Sequence, residues 1–185
     1  MNDRSLVQVA LYAAIFAVLG LLPKFDIPLA GGVPITAQSM GAMLAGVMLG
    51  PVRGAAAMLL LLLVVALGAP LLAGGRGGLA VFYGPSVGFI VGWVAAAFVA
   101  GAVMRALRTQ PVFPAALLAA VLGGIVVLYA FGIAGLAMMT KLSVLDAAKA
   151  SLIFLPGDTI KAVLVALVAQ TVARGFPEAL LSRAP

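Results

Sequence analysis

The chain of 185 residues contains no cysteine, no histidine and only five carboxylates. Without cysteine it has no disulfide, no thiolate nucleophile and no thiolate metal ligand. Without histidine it lacks the commonest metal ligand and the commonest general acid or base. Asp158 is the one carboxylate that lies inside an apolar span. We therefore expect neither an enzyme nor a metal or cofactor site.

Charged residues are also scarce, at 9% of the chain, whereas a soluble domain carries about a quarter. Hydrophobic residues make up 65%, and the mean hydropathy is +1.27. At about 20 residues per transmembrane helix, this length provides about six spans and leaves no room for a separate soluble domain. We predict an all-α integral membrane protein whose single domain covers residues 1–185. The predicted spans are approximately 5–22, 35–50, 54–72, 84–104, 115–139 and 157–174.

The net charge of +6 comes from basic residues that stand mostly at the predicted span ends. There they set topology and meet anionic lipid headgroups, so membrane lipid rather than nucleic acid is the expected partner. Six helices place both termini on one side, and the larger number of basic residues favours the cytoplasm for that side. The predicted cytoplasmic segments carry Arg4, Arg53, Arg105, Arg108, Arg174 and Arg183, and the outer ones carry Lys24, Arg76, Lys141 and Lys149.

In this topology the unusual polar residues gather at the outer end of the bundle. They are Thr36, Gln38 and Ser39 at the head of the second span, Arg76 and Tyr83 in a glycine-rich loop, and Asp158 and Lys161 at the start of the last span. The loops between them, 23–34, 73–83 and 141–156, are the longer ones of the chain. This arrangement predicts a capture site that opens to the outside and is covered by loops.

Several of these residues also allow a structural interpretation. Asp158 and Lys161 share one helix face at spacing i,i+3. They could form half of a polar ligand pocket, or they could be a structural ion pair at the mouth of a helix. Gln38 could face a ligand or a neighbouring helix, and Arg76 could bind a carboxylate or lie among headgroups. Trp93, in the middle of a span, could line a cavity or pack against glycines. The small residues Ala10, Ala13, Ala14 and Ala17 have the spacing of a helix-packing face, which by spacing alone favours packing within the bundle.

Five motifs in fixed order resemble one known family. They are VPITAQ at 33–38, LAG at 44–46 with LGP at 49–51, AGGRGGL at 73–79, GPSVG at 84–88 and GDTIK at 157–161. Together they resemble BioY, the biotin-binding S components of energy-coupling factor (ECF) transporters. The resemblance covers residues 33–161, and the first helix and the tail are compatible with it.

The resemblance implies a six-helix bundle in the bacterial cytoplasmic (inner) membrane that captures biotin from outside. It also implies partnership with a transmembrane coupling subunit and a pair of cytoplasmic ATPases, which hydrolyse the ATP. In this family, alanines at four-residue spacing in the first helix are associated with docking to the coupling subunit. The matching positions here are Ala10, Ala13, Ala14 and Ala17.

Asp158 and Lys161 match the acid–base pair that the family places at the ligand. The ureido ring of biotin has N–H donors suited to Asp158 and a carbonyl acceptor suited to Lys161, although the reverse orientation of the ligand is open. Gln38, with Thr36 beside it, can bond the same ring. Tyr83 or Trp93 can cover the thioether ring. Arg76 or backbone amides of the glycine loop, such as that of Gly75, can bind the valerate carboxylate.

Three alternatives stay open at this point. One is an S component for another vitamin, such as thiamine or riboflavin, although those ligands favour stacked aromatic side chains and this chain has one Trp and three Tyr. A second is a carrier that works without any coupling subunit. A third is a structural membrane subunit in which Asp158 and Lys161 form an inert pair. Self-association of the chain is also left open.

Overall fold

The computed structural model describes residues 3–26 and 32–183, and it is all-helical there apart from isolated β-bridges. The middle of the predicted loop 23–34 lies outside the described residues. The helices are α1 Asp3–Leu19, α2 Gln38–Leu49, α3 Pro51–Ala66, α4 Val87–Ala106, α5 Val112–Val121, α6 Leu128–Thr140, α7 Val144–Ser151 and α8 Leu155–Gly175. Because α5 runs into α6 and α7 runs into α8, the described residues form six main helical segments, as predicted.

Three helical stretches among the described residues are long and apolar enough to cross a membrane: Val87–Ala106, Val112–Thr140 and Val144–Gly175. The other three, Ser5–Leu19, Gln38–Leu49 and Pro51–Ala66, are shorter apolar helices. At 1.5 Å per residue, the 12 residues of α2 extend over only about 18 Å, whereas a hydrocarbon core is about 30 Å thick. Room is therefore left at one end of the bundle for loops to fold inward, which a membrane permits where the loops line a cavity.

Helix α4 is the centre of the bundle and packs against α2, α3 and α6. The close approach depends on glycine at its face towards α6: a Cβ atom on Gly88 would collide with the backbone carbonyl of Phe131. This face of α4 therefore packs inside the bundle.

Several helix bounds differ from the sequence prediction. Helix α3 begins at Pro51 rather than 54, and it ends at Ala66 rather than near 72, because Gly68 adopts φ 112° and turns the chain inward. Between the last two predicted spans the structure has a further helix, α7, which begins at the N-cap Ser143 and continues through the 3₁₀ turn Leu152–Phe154 into α8. Its charged residues Asp146 and Lys149 are exposed.

A π-helical segment, Leu122–Val127, joins α5 to α6. It contains Gly123 and Gly124, and a Cβ atom on Gly124 would overlap the side chain of Met43 in α2. Such segments shift the register of the helix that follows and are frequent at functional sites. In this chain the π-helical segment sets the direction in which the side chains of Leu128 and Tyr129, the first residues of α6, point.

Candidate ligand-binding site

A cavity of about 530 Å³, which includes its open mouth, lies where the inward-folded loops meet α2, α4 and α8. Its polar lining residues are Thr36, Gln38, Ser39, Arg76, Ser86, Asp158 and Lys161. Its apolar lining residues are Val33, Pro34, Ile35, Phe89, Ile90, Trp93, Leu128 and Phe154. A polar cluster facing an aromatic wall suits a small molecule with one polar and one apolar end.

The two charges of the cavity floor come from α8 and pair directly. Lys161 Nζ lies 2.8 Å from Asp158 Oδ1, and the two side chains are 14% and 6% exposed. Asp158 stands in the first turn of α8, where the helix dipole favours a negative charge. Buried charges are costly unless they are paired and hydrogen-bonded. Asp158 and Lys161 are paired with each other and hydrogen-bonded, and they lie at the surface of a cavity rather than within closed packing.

Two further side chains complete the polar cluster. Ser39 Oγ in α2 donates to Asp158 Oδ1 at 3.1 Å and accepts from Lys161 Nζ at 2.9 Å. Tyr129 in α6 donates its hydroxyl proton to Asp158 Oδ2 at 2.8 Å. The cluster thus ties α2 and α6 to α8. Ser39 stood out in the sequence but was not assigned to the site. Tyr129, a hydroxyl in the middle of an otherwise apolar span, was not predicted at all.

Gln38, the first residue of α2, holds the glycine-rich loop in place. Its Nε2 donates to the carbonyl of Leu71 at 3.0 Å, and its Oε1 accepts from the amide of Ala73 at 2.8 Å. Thr36 Oγ1 in turn accepts from the backbone amide of Gln38 at 3.3 Å. Both residues line the cavity, as predicted, but each already has a structural partner. A direct bond from either to a ligand stays a prediction.

Arg76 supplies a second cation to the cavity. The loop that carries it is closed by two backbone hydrogen bonds between Leu72 and Arg76. Its Nε donates to the carbonyl of Ala73 at 3.2 Å, and its Nη1 donates to Ser86 Oγ at 3.3 Å. Burial lowers the pKa of the Arg76 guanidinium and the charge of Asp26 raises it, but arginine stays protonated at any physiological pH. The cavity therefore holds one paired and one separate positive charge.

The aromatic wall is built from residues that also pack with each other. Trp93 meets Phe16 of α1 edge-on, with ring centroids 4.6 Å apart. Phe89 packs in the same manner against Phe154, at 5.6 Å, and against Tyr129, at 6.3 Å. Trp93 thus lines the cavity, as one interpretation proposed, and its ring partner in the core is Phe16. Phe89 and Phe154 were not singled out from the sequence, because phenylalanine in a membrane span is unremarkable.

Two predicted site residues lie outside the cavity lining. Tyr83 ends the 3₁₀ turn Leu79–Tyr83, whose buried residue is Val81, so the Tyr83 ring points away and is 81% exposed. Gly75 is exposed and has φ 70°, a left-handed conformation that suits glycine and allows the loop to turn. The structural role of Gly75 is to permit that turn.

The alanines of α1 divide between two faces. Ala10 and Ala14 are exposed, whereas Ala13 is buried in the core and Ala17 is partly buried against it. Only Ala10 and Ala14 are therefore free to meet another subunit. The other two take part in packing within the bundle, which was the interpretation that spacing alone favoured.

Comparison with known proteins gives a family match over residues 1–178 to the BioY family. The chain belongs to the BioY family. A protein of Rhizobium etli named biotin transporter BioY is 50% identical over 186 residues, which cover 96% of this chain and 97% of that protein. One of Rhodobacter capsulatus with the same name is 46% identical over 190 residues, covering 98% and 99%.

A solved structure also matches the fold of this chain. A crystal structure of the S-component for biotin from an ECF-type ABC transporter matches with a TM-score of 0.87 and 31% identity, covering 97% of this chain and 99% of that one. The family resemblance and the helical bundle expected from the sequence are thus confirmed. This BioY protein is a multi-pass membrane protein.

The Gln38→Leu substitution tests the link between α2 and the glycine-rich loop. Leucine keeps the volume of the side chain but removes both hydrogen bonds to the loop. Since a net hydrogen bond contributes about 1 kcal/mol, we expect amide hydrogen exchange in residues 71–76 to accelerate about thirtyfold for the two lost bonds. Thr171→Val, which removes a hydroxyl bonded to Leu167 on the exposed face of α8, is the control and should leave this loop unchanged. Equal exchange in wild type and Gln38→Leu would contradict the assignment.

Proposed function

We propose that this protein captures biotin from the outer side of the bacterial cytoplasmic membrane and is the substrate-binding S component of an ECF transporter. The observation that carries the proposal is the Asp158–Lys161 pair in a cavity with an aromatic wall. The names of the BioY relatives and of the matching S-component support the choice of biotin. In this role the chain binds and does not catalyse, so ATP hydrolysis belongs to partner ATPases.

The site has a partner for each part of biotin. Asp158 accepts a hydrogen bond from a ureido N–H, and Lys161 donates to the ureido carbonyl. Trp93 and Phe89 cover the thioether ring, which is apolar. Arg76 pairs with the valerate carboxylate, for which a guanidinium is well suited. The ligand then lies with its head at α8 and its tail towards the glycine-rich loop.

The same proposal includes the assembly. Both termini lie in the cytoplasm, residues 1–185 act as one domain, and the open mouth of the cavity faces outward. The exposed pair Ala10 and Ala14 on α1 contributes to docking with the transmembrane coupling subunit, where small side chains permit close helix approach. The coupling subunit connects the bundle to the ATPases, and membrane lipid covers the remaining apolar surface.

Asp158→Ala should abolish tight biotin binding. Removing one member of a buried, hydrogen-bonded charge pair costs at least about 2 kcal/mol, which with the loss of the ligand bond corresponds to about a hundredfold or more in affinity. The measurement is calorimetric titration of biotin into purified protein in detergent. We expect one biotin per chain for the wild type.

The matched control for this titration is Asp146→Ala, which removes an exposed carboxylate in α7. It should bind biotin as the wild type does. Absence of heat with folded wild-type protein would overturn the proposal, and thiamine and riboflavin would then be titrated against the same protein.

Arg76→Gln should remove the preference for a free carboxylate. Biotin amide keeps the ring system but has no negative charge at its tail, so wild-type protein should bind biotin about tenfold more tightly than the amide. In Arg76→Gln the two ligands should bind alike. Arg174→Gln, at the exposed end of α8, is the control and should keep the preference. A wild-type protein that binds acid and amide equally would contradict the assignment of Arg76.

A further inference from the structure

The hydrogen bonds of the polar cluster leave few positions open for a ligand. A carboxylate has about four lone-pair positions and an ammonium has three N–H donors. Asp158 Oδ1 accepts from Ser39 and Lys161, and Oδ2 accepts from Tyr129. Among the residues that the structure describes, one acceptor position therefore remains open, on Oδ2. Lys161 donates to Asp158 and to Ser39, so within the same part of the chain one of its N–H donors remains open.

The two open positions belong to neighbouring groups, because Lys161 and Asp158 are in direct contact at 2.8 Å. Together they form one acceptor beside one donor. The complementary ligand edge has an N–H and a C=O side by side, which is the edge of a cyclic urea or of a lactam.

We propose that Ser39 and Tyr129 are positioning residues that restrict the Asp158–Lys161 pair to this single donor and acceptor, and so select the ureido edge of the ligand. This inference rests on the proposed function, since it takes biotin as the ligand of the cavity. Selectivity for the head group of the ligand then comes from Ser39 on α2 and Tyr129 on α6, which act through the charged pair on α8.

The positions of both residues support a role in preorganisation. Tyr129 follows the π-helical segment, which sets its direction, and its ring packs edge-on against Phe89. Its hydroxyl is therefore aimed from a fixed ring. Ser39 is hydrogen-bonded to both members of the pair, so it links the side-chain conformation of Asp158 to that of Lys161. Groups that are fixed before binding lose less conformational entropy when the ligand arrives.

Three variants test the proposal with two ligands. Ser39→Ala and Tyr129→Phe each remove one hydroxyl, and Ser39→Thr keeps it. The ligands are biotin and 2-iminobiotin, in which a guanidino group replaces the urea, so that N–H donors face Lys161. Tyr12→Phe is the control, because Tyr12 is a partly buried tyrosine of α1 that is not part of the cavity lining.

For the wild type we expect biotin to bind at least a hundredfold more tightly than 2-iminobiotin, measured by calorimetry at neutral pH. Ser39→Ala and Tyr129→Phe should each weaken biotin binding by about tenfold or more, as expected for a hydrogen bond to a charged group. Binding of 2-iminobiotin should change little, so the ratio of the two affinities falls about tenfold. Ser39→Thr and Tyr12→Phe should keep the wild-type ratio.

The ratio of the affinities for biotin and 2-iminobiotin distinguishes a positioning role from a general structural effect. If both ligands weaken equally in Ser39→Ala and Tyr129→Phe, or if neither weakens, the proposal is overturned while biotin binding itself stands. If the wild type binds no biotin, the proposed function fails first and the present inference falls with it. The thermal unfolding midpoint without ligand identifies any variant that does not fold. Should Tyr129→Phe be such a variant, the Ser39→Ala and Ser39→Thr pair decides.

Discussion

The buried ion pair between Asp158 and Lys161 is the interaction on which the rest of the structure depends. Two charges within an apolar bundle are stable only when each has close polar partners. Ser39 from α2 and Tyr129 from α6 supply these partners. The electrostatic requirement of one residue pair therefore fixes how three helices meet. Since the pair is also exposed to the cavity, the same requirement holds a polar surface ready for a ligand.

The small residues of the bundle make this meeting geometrically feasible. Gly88 lets α4 lie against the backbone of α6, and Gly124 of the π-helical segment admits Met43 of α2. In a membrane, close backbone contact takes the place of the hydrophobic drive that packs soluble cores. The cavity is then lined on its apolar side by aromatic rings that pack edge-on. The same side chains, such as Trp93 and Phe89, thus pack the core and line the cavity.

The sequence was sufficient to predict the class of fold and the charged centre of the site. A helix spacing of i,i+3 places Asp158 and Lys161 on one face whatever the rest of the chain does. Tyr129 could not be paired with Asp158 from the sequence, because the two residues are 29 positions apart and α7 lies between them. Tyr83 was assigned to the site as an aromatic side chain of the glycine-rich loop that could cover the thioether ring. The 3₁₀ turn that points it outward depends on the buried side of Val81, which only the packed structure reveals.

Gln38 illustrates the intermediate case. A buried amide at the head of a span predicts that partners exist, but its residue type does not say whether they are ligand or backbone. The structure places the loop carbonyl of Leu71 and the amide of Ala73 at its two ends. Its contribution to the site is therefore the position of the loop that carries Arg76.

The most direct test of this account is an experimental structure of the protein with biotin bound. We expect the ureido N–H at Asp158 and the ureido carbonyl at Lys161, with the bonds from Ser39 and Tyr129 retained and the carboxylate tail at Arg76. A biotin molecule in the reverse orientation, with its ureido ring at Arg76 and its carboxylate at Lys161, would contradict it.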